Sequence, residues 1–253
     1  MNNMFTAMLA AATAKVEVPV DGLTGVWIKS GATVISSGMK MTGATVSSGQ
    51  SQTVYNRGAA NSTTVVSGGS LLISSGGTAN SPVAHGAAVR VNVSRGGSAF
   101  GAEIYSSARM NVMGSGALAS GISVRGPDGF LNVYGQGASA ASIVMSAGAY
   151  VYVYQNGVIS GITQSAGNVY VSSAGTATAV TMIAGGVNVY ANGSAENFTV
   201  NGGTLRIQDG GRASGITVAA GGTLVVSSGA TALGVVSSGG TIDVISGGYI
   251  EYA

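Results

Sequence analysis

The sequence predicts an all-β fold: a single right-handed parallel β-helix (a β-solenoid) of about 11–12 coils with roughly 19 residues per coil. Three observations point there. Glycine is abundant and proline scarce, at 43 and 3 of 253 residues. Short runs with apolar residues at alternate positions recur at a near-constant interval. A glycine turn follows each run.

The composition narrows the class. Collagen requires proline as well as glycine. A flexible Gly/Ser linker carries far less apolar material than the 45% found here. Charged residues make up only 7%. The chain therefore packs, with small side chains and tight turns. Its net charge is +2, from 10 basic and 8 acidic residues. No Lys/Arg run marks a nucleic-acid footprint, so no nucleic-acid partner is expected. The absence of cysteine removes disulfides and thiolate metal sites. No apolar run is long enough to predict a transmembrane helix.

Residues 1–29 read as an N-terminal cap, a short helix then a strand, ahead of a repeat domain over residues 30–253. Met1 to Ala14 is apolar, and Ala12-Thr13-Ala14 resembles a signal cleavage site. The basic leader is missing, so a capping helix is the preferred reading. Trp27, the only tryptophan, is expected to cover the first coil, because the end of a stack is an open sheet edge.

The repeats begin at Gly31 with GATVISSG and return as RMNVMGSG at Arg109, FLNVYGQG at Phe130 and YVYVYQNG at Tyr150. Further copies start at Asn168, Thr204, Thr223 and Thr241, with variants at Gln50, Ser70, near Arg90 and near Val187. Each unit has a second half with its own apolar pair, as in GISVRG at Gly121 and GITVAAGG at Gly215. The unit thus reads strand, glycine turn, small-residue stretch, strand, glycine turn.

Period-2 alternation sets the faces. Leu71 and Ile73, Leu131 and Val133, and Leu224 and Val226 mark inward positions. The position between them holds Asn111, Asn132, Tyr152, Tyr170, Asn188, Arg206 and Asp243, a solvent-facing mixture. One unit cannot bury its own apolar face, but stacked units can. Asn156-Gly157, Asn192-Gly193 and Asn201-Gly202 are hairpin signals. Repetition outweighs them, because like units pair best in parallel register. The chain stops at Ala253 part-way through a coil, which reads as a fragment end or an end that meets another chain.

The stretches SGGSLLISSGGTAN (Ser67–Asn80) and GGTLVVSSGATALGVVSSGGTIDVISG (Gly221–Gly247) resemble the strand-loop-strand repeats of AIDA-adhesin and antigen 43-type autotransporter passengers. The resemblance runs from about Gly31 to Gly248. It implies a β-helix displayed on the outside of a Gram-negative cell, and self-association, adhesion or biofilm formation. It further implies heptose attached to serines, comparable here to Ser36, Ser37, Ser47, Ser48, Ser74, Ser75, Ser227, Ser228, Ser237 and Ser238. The alternative is that these serines simply suit turns. The passenger pattern normally includes a signal peptide and a translocator barrel, and neither is evident in this sequence.

Little points to chemistry. The carboxylates Glu17, Asp21, Glu103, Asp128, Glu196, Asp209, Asp243 and Glu251 do not stack in one column, as polysaccharide-cleaving β-helices require. His85 is the only histidine and reads as a turn residue. No phosphate-binding fingerprint appears. The expectation is a non-enzyme with no cofactor and no metal. Thr63, Thr64, Thr176, Thr178 and Thr181 do not line up as an ice-binding array.

Aromatics do fall on outward positions of neighbouring coils: Phe130 and Tyr134, then Tyr150, Tyr152 and Tyr154, then Tyr170, then Tyr190. They form a candidate surface patch, either a stiffening ladder or an adhesive face. The expected partner is a second copy of the chain, with host or bacterial surface glycans as another. The competing functional reading is a structural subunit of an extracellular fibre assembled end to end.

Overall fold

The computed structural model describes residues 15–17, 26–29, 31–146 and 148–253. Its described residues are all β and turn, without a helix. Two parallel sheets, one of 13 strands and one of 17, face each other along the length of a solenoid of about 12 turns. Register partners lie 18 residues apart at Tyr150↔Asn168 and 21 apart at Arg109↔Phe130, which brackets the expected period.

Each coil gives the first sheet one short strand, for example Leu131 and Val133 inward within Phe130–Tyr134. The inward columns run through Leu71, Val91, Met110, Leu131 and Val151, and through Ile73, Val93, Val112, Val133 and Val153. All ten are fully buried. The alternation read from the sequence therefore places the core correctly.

A β-turn follows this strand. At Tyr154 the Gly157 N–H donates to the Tyr154 carbonyl at 3.0 Å, with Gln155 and Asn156 at φ 50° and 63°. Two left-handed central residues are what an Asn-Gly pair supplies in hairpins, but here they are Gln155 and Asn156, with Gly157 one place later. The turn leads instead into the other sheet, because both neighbours are parallel strands of the adjacent coils. Gly157 packs so closely on the coil below that a Cβ would lie 2.3 Å from the Val133 carbonyl oxygen.

The small-residue stretch, expected between the glycine turn and the second strand, is where the structure differs. It is itself strand, and belongs to the second sheet. In Leu118–Val124, Ala119, Ile122 and Val124 are buried, and exposed Gly121 takes φ 66° between them. One left-handed residue recurs at this place in coil after coil: Ser62, Ser81, Gly101, Gly121, Ser142, Gly161, Ala179, Asn197 and Gly215. It absorbs an extra residue, so the inward positions continue inward across the bend. His85 also departs from expectation. It ends the strand Val83–His85, paired with Val66, rather than sitting in a turn.

At the N-terminal end, Val26–Lys29 pairs antiparallel with Ala32–Ile35, and Lys15–Glu17 pairs antiparallel with Lys40–Thr42. The rest of the predicted cap, its helix and the side chain of Trp27 lie outside the described residues.

Among the described residues, the polar side chains of Gln52, Thr63 and Gln164 are fully enclosed in the interior. Thr63 Oγ1 donates to Gln52 Oε1 at 2.9 Å, and Gln52 Nε2 donates to Met41 Sδ at 3.4 Å. Gln164 occupies an inward column between Met145 and Met182. Its Nε2 donates to the carbonyls of Gly167 at 2.8 Å and Gly186 at 3.1 Å, while its Oε1 has no partner.

Candidate functional site

The outward face of the first sheet carries three parallel columns of side chains. Strand pleating puts positions i, i+2 and i+4 of each strand on this face. The first column reads Arg90, Arg109, Phe130, Tyr150. The middle column reads Asn92, Asn111, Asn132, Tyr152, Tyr170, Asn188. The third reads Met113, Tyr134, Tyr154.

All seven aromatics expected at the surface are brought together here. Within columns the rings stack: Phe130 on Tyr150 at 5.3 Å, Tyr152 on Tyr170 at 4.9 Å and Tyr134 on Tyr154 at 5.0 Å between centroids. Their planes lie within 16° of parallel. Diagonal contacts tie the columns together, with Tyr150 at 6.4 Å from Tyr152 and Tyr170 at 6.4 Å from Tyr190. Stacking of this kind adds to the burial of the rings.

The stack decides what the patch can do. The coil rise of about 4.8 Å is close to ring-stacking distance, so each ring covers the face of its neighbour. Interior rings are half-buried and turn their faces to one another. Edges and phenol hydroxyls are what remain for a partner. Burial raises the pKa of Tyr152, Tyr154 and Tyr170, with neighbouring tyrosines adding to the effect. Tyr152, Tyr154 and Tyr170 are thereby held in their neutral, protonated form.

Below the rings, the middle column becomes an amide ladder. Asn111 Nδ2 donates to Asn92 Oδ1 at 2.7 Å, and Asn132 Nδ2 donates to Asn111 Oδ1 at 2.8 Å. In the first column, the Arg109 guanidinium lies 5.1 Å from the Phe130 ring centroid, in cation–π contact. Neither the ladder nor this contact was anticipated. The mixed composition of the column was legible, but the order of its members along the stack needs the coil-to-coil register.

The candidate serines divide. Ser37, Ser75 and Ser228 are exposed at corners. Ser237 and Ser238 are exposed too, but belong to the strand Thr231–Ser238 rather than to a turn. Ser47 bonds Gln50 Oε1 through its hydroxyl at 2.7 Å, beside exposed Ser48. Ser74 and Ser227 are half-buried. Ser36 is only 5% exposed, which removes it as an accessible acceptor.

The five threonines named above do not stack on one another, as expected, but a different row does form. Thr181 lines up with Thr163, Thr199 and Thr217 on four consecutive coils of the second sheet. It is a single row, however, because the neighbouring column reads Ser160, Thr178, Glu196, Ser214. Among the described residues no three His, Asp or Glu side chains converge. Glu103 accepts the Tyr105 hydroxyl at 2.6 Å, a bond that raises the tyrosine pKa.

Fold and surface together define a β-solenoid with one aromatic, amide-rich flat face. The chain is similar to the crystal structure of a TibC-catalysed hyper-glycosylated TibA fragment, residues 55–350. The TM-score is 0.77 at 28% identity, over 89% of this chain and 93% of that one. No family model and no curated protein sequence matches the chain. No helix among the described residues is long and apolar enough to cross a membrane.

Proposed function

We propose that this chain is a non-catalytic adhesin passenger displayed on the outer surface of a Gram-negative cell, associating with copies of itself through the aromatic face. The observation that carries the reading is the gathering of Phe130, Tyr134, Tyr150, Tyr152, Tyr154, Tyr170 and Tyr190 on one flat face. Tyrosine combines a large apolar area with a polar tip and recurs at binding hot spots. A flat face with hydroxyl-tipped edges suits face-to-face packing of two rods, in which hydroxyls bond across a two-fold axis.

Two further findings support it. The repeat phrases resemble those of self-associating passengers, and the similar TibA fragment is glycosylated. Exposed corner serines such as Ser37, Ser75 and Ser228 are the places in this chain where heptose would attach without entering the core.

Sedimentation of the purified chain across concentration, with electron micrographs of the same samples, tests the reading. Side-by-side dimers or clusters are expected. Tyr152→Ser combined with Tyr154→Ser should weaken association at least tenfold. Unchanged association in that variant would remove the face from the argument. Uniform end-to-end filaments would favour the fibre subunit instead.

A further inference from the structure

The strip beside the tyrosines is chemically different from them. Arg90 and Arg109 are consecutive members of one outward column, about 4.8 Å apart along the stack, and both are exposed. Like charges placed directly opposite destabilise a sheet. Among the described residues neither has a carboxylate partner. No carboxylate stands in the three outward columns between Ser51 and Asn188; Asp128, in the turn before Phe130, pairs with neither arginine. Two adjacent cations thus share a face that supplies no counter-charge.

Their neighbours are suited to a hydroxylated ligand. Each ladder asparagine has two N–H donors and two lone pairs on its oxygen. The ladder uses at most one donor and one acceptor of each residue, so every amide keeps bonding capacity for solvent or ligand. The Arg109 guanidinium carbon lies 5.1 Å from the Phe130 centroid, and a guanidinium in cation–π contact still carries five N–H donors for an anion. Their fork matches carboxylate, sulfate or phosphate oxygens. The groups repeat once per coil, and the rise of about 4.8 Å is of the same order as one sugar unit of an extended glycan.

We propose that the strip made by Arg90, Arg109, Phe130, Asn92, Asn111 and Asn132 binds a linear anionic polysaccharide lying along the solenoid axis. The two guanidinium groups take acidic substituents on neighbouring sugars. The asparagine amides take ring hydroxyls. Phe130 fixes Arg109 in place rather than stacking on a sugar, because Arg109 and Tyr150 occupy its two faces. The neutral phenols above the strip add no opposing charge. This site shares only Phe130 with the self-association face and uses none of its tyrosines, and its charged members Arg90 and Arg109 lie outside that face.

The test is titration calorimetry of the intact chain with polygalacturonate (carboxylate), dextran sulfate (sulfate) and neutral dextran. Binding to at least one polyanion and none to dextran is expected, and the two polyanions show which acid is preferred. Arg90→Gln with Arg109→Gln should weaken polyanion binding at least tenfold. Arg57→Asn with Arg212→Gln, an equal charge change off this face, should weaken it less than threefold. Arg90→Lys with Arg109→Lys should give an intermediate loss, because the charge remains and the fork goes. Equal binding to dextran, no polyanion binding by the unaltered chain, or equal losses in the first two variants would overturn the proposal. Sedimentation of the Arg90→Gln/Arg109→Gln variant without polysaccharide separates this site from self-association, which should persist there.

Discussion

The first four coils and the later ones build the second sheet differently. Early coils contribute pairs of short strands, such as Thr78–Asn80 and Val83–His85. From Leu118–Val124 to Thr231–Ser238, each coil contributes one strand of seven or eight residues. The left-handed bend is present in both regions, so it is not the cause. The residue just after it is. Early coils place Ala44, Thr63, Pro82 and Ala102 there; later ones place Ile122, Ile143, Ile162, Val180, Phe198, Ile216 and Val235. Bulky apolar side chains favour a pleated backbone, whereas Pro82 has no N–H to give to the ladder and Thr63, though β-branched, turns its hydroxyl inward to Gln52. The same fold is therefore held by large side chains in one region and by corner turns and small residues in the other.

The largest expected effect tests that contrast directly. Among the described residues Phe198 is the largest fully buried side chain. Phe198→Ala should lower unfolding free energy by about 3–5 kcal/mol. Hydrogen exchange should show protection falling around Met182 and Ile216 while coils near Ala60 keep theirs. Uniform loss along the rod would mean that the two regions unfold as one.

Gln164 marks where coils shorten to 18 residues, as at Tyr150↔Asn168 and Asn168↔Gly186. Its amide supplies the Gly167 and Gly186 carbonyls with a donor. Gln164→Met should cost roughly 1–2 kcal/mol, the lost carbonyl partners being offset in part by removal of the unpaired Oε1. Chemical denaturation measures this, and a neutral result would show that backbone turns alone set the shorter coil.

The smallest effect separates the ring stack from the amide ladder. Tyr152, Tyr154 and Tyr170 have pKa values above the ordinary 10.0, mainly through burial. Their unfolded forms lose protons first, so stability is full below pH 10.0 and falls as pH rises through the folded values. Tyrosinate absorbance should lag behind that of the denatured chain. The asparagine ladder, which does not titrate, should give no such slope. Coincident titration of folded and denatured chains would mean that the stacked rings are solvated.

Much of this was legible in the sequence. The inward pairs Leu131/Val133 and Leu224/Val226 revealed the sheet face, because apolar alternation is a local signal. The aromatic positions were legible for the same reason. The bend was not, since Gly121, Ser142, Ala179 and Asn197 share a backbone angle and no side-chain property. Register-dependent features were also missed. Thr163, Thr181, Thr199 and Thr217 align only once every coil length between them is known. Arg109 meets Phe130 across 21 residues, the longest step in the stack.

The inter-coil hydrogen bonds have a mechanical consequence. They run along the rod, as in Tyr150 N–H to Gly129 carbonyl at 2.8 Å and Asn168 N–H to Ala149 carbonyl at 2.9 Å. Tension drawn along the axis loads them one rung at a time, like a zipper, rather than all together in shear. Each yielding rung pays out one coil, on the order of 60 Å of chain. A tether built this way lengthens many-fold before it parts, and so damps a sudden pull.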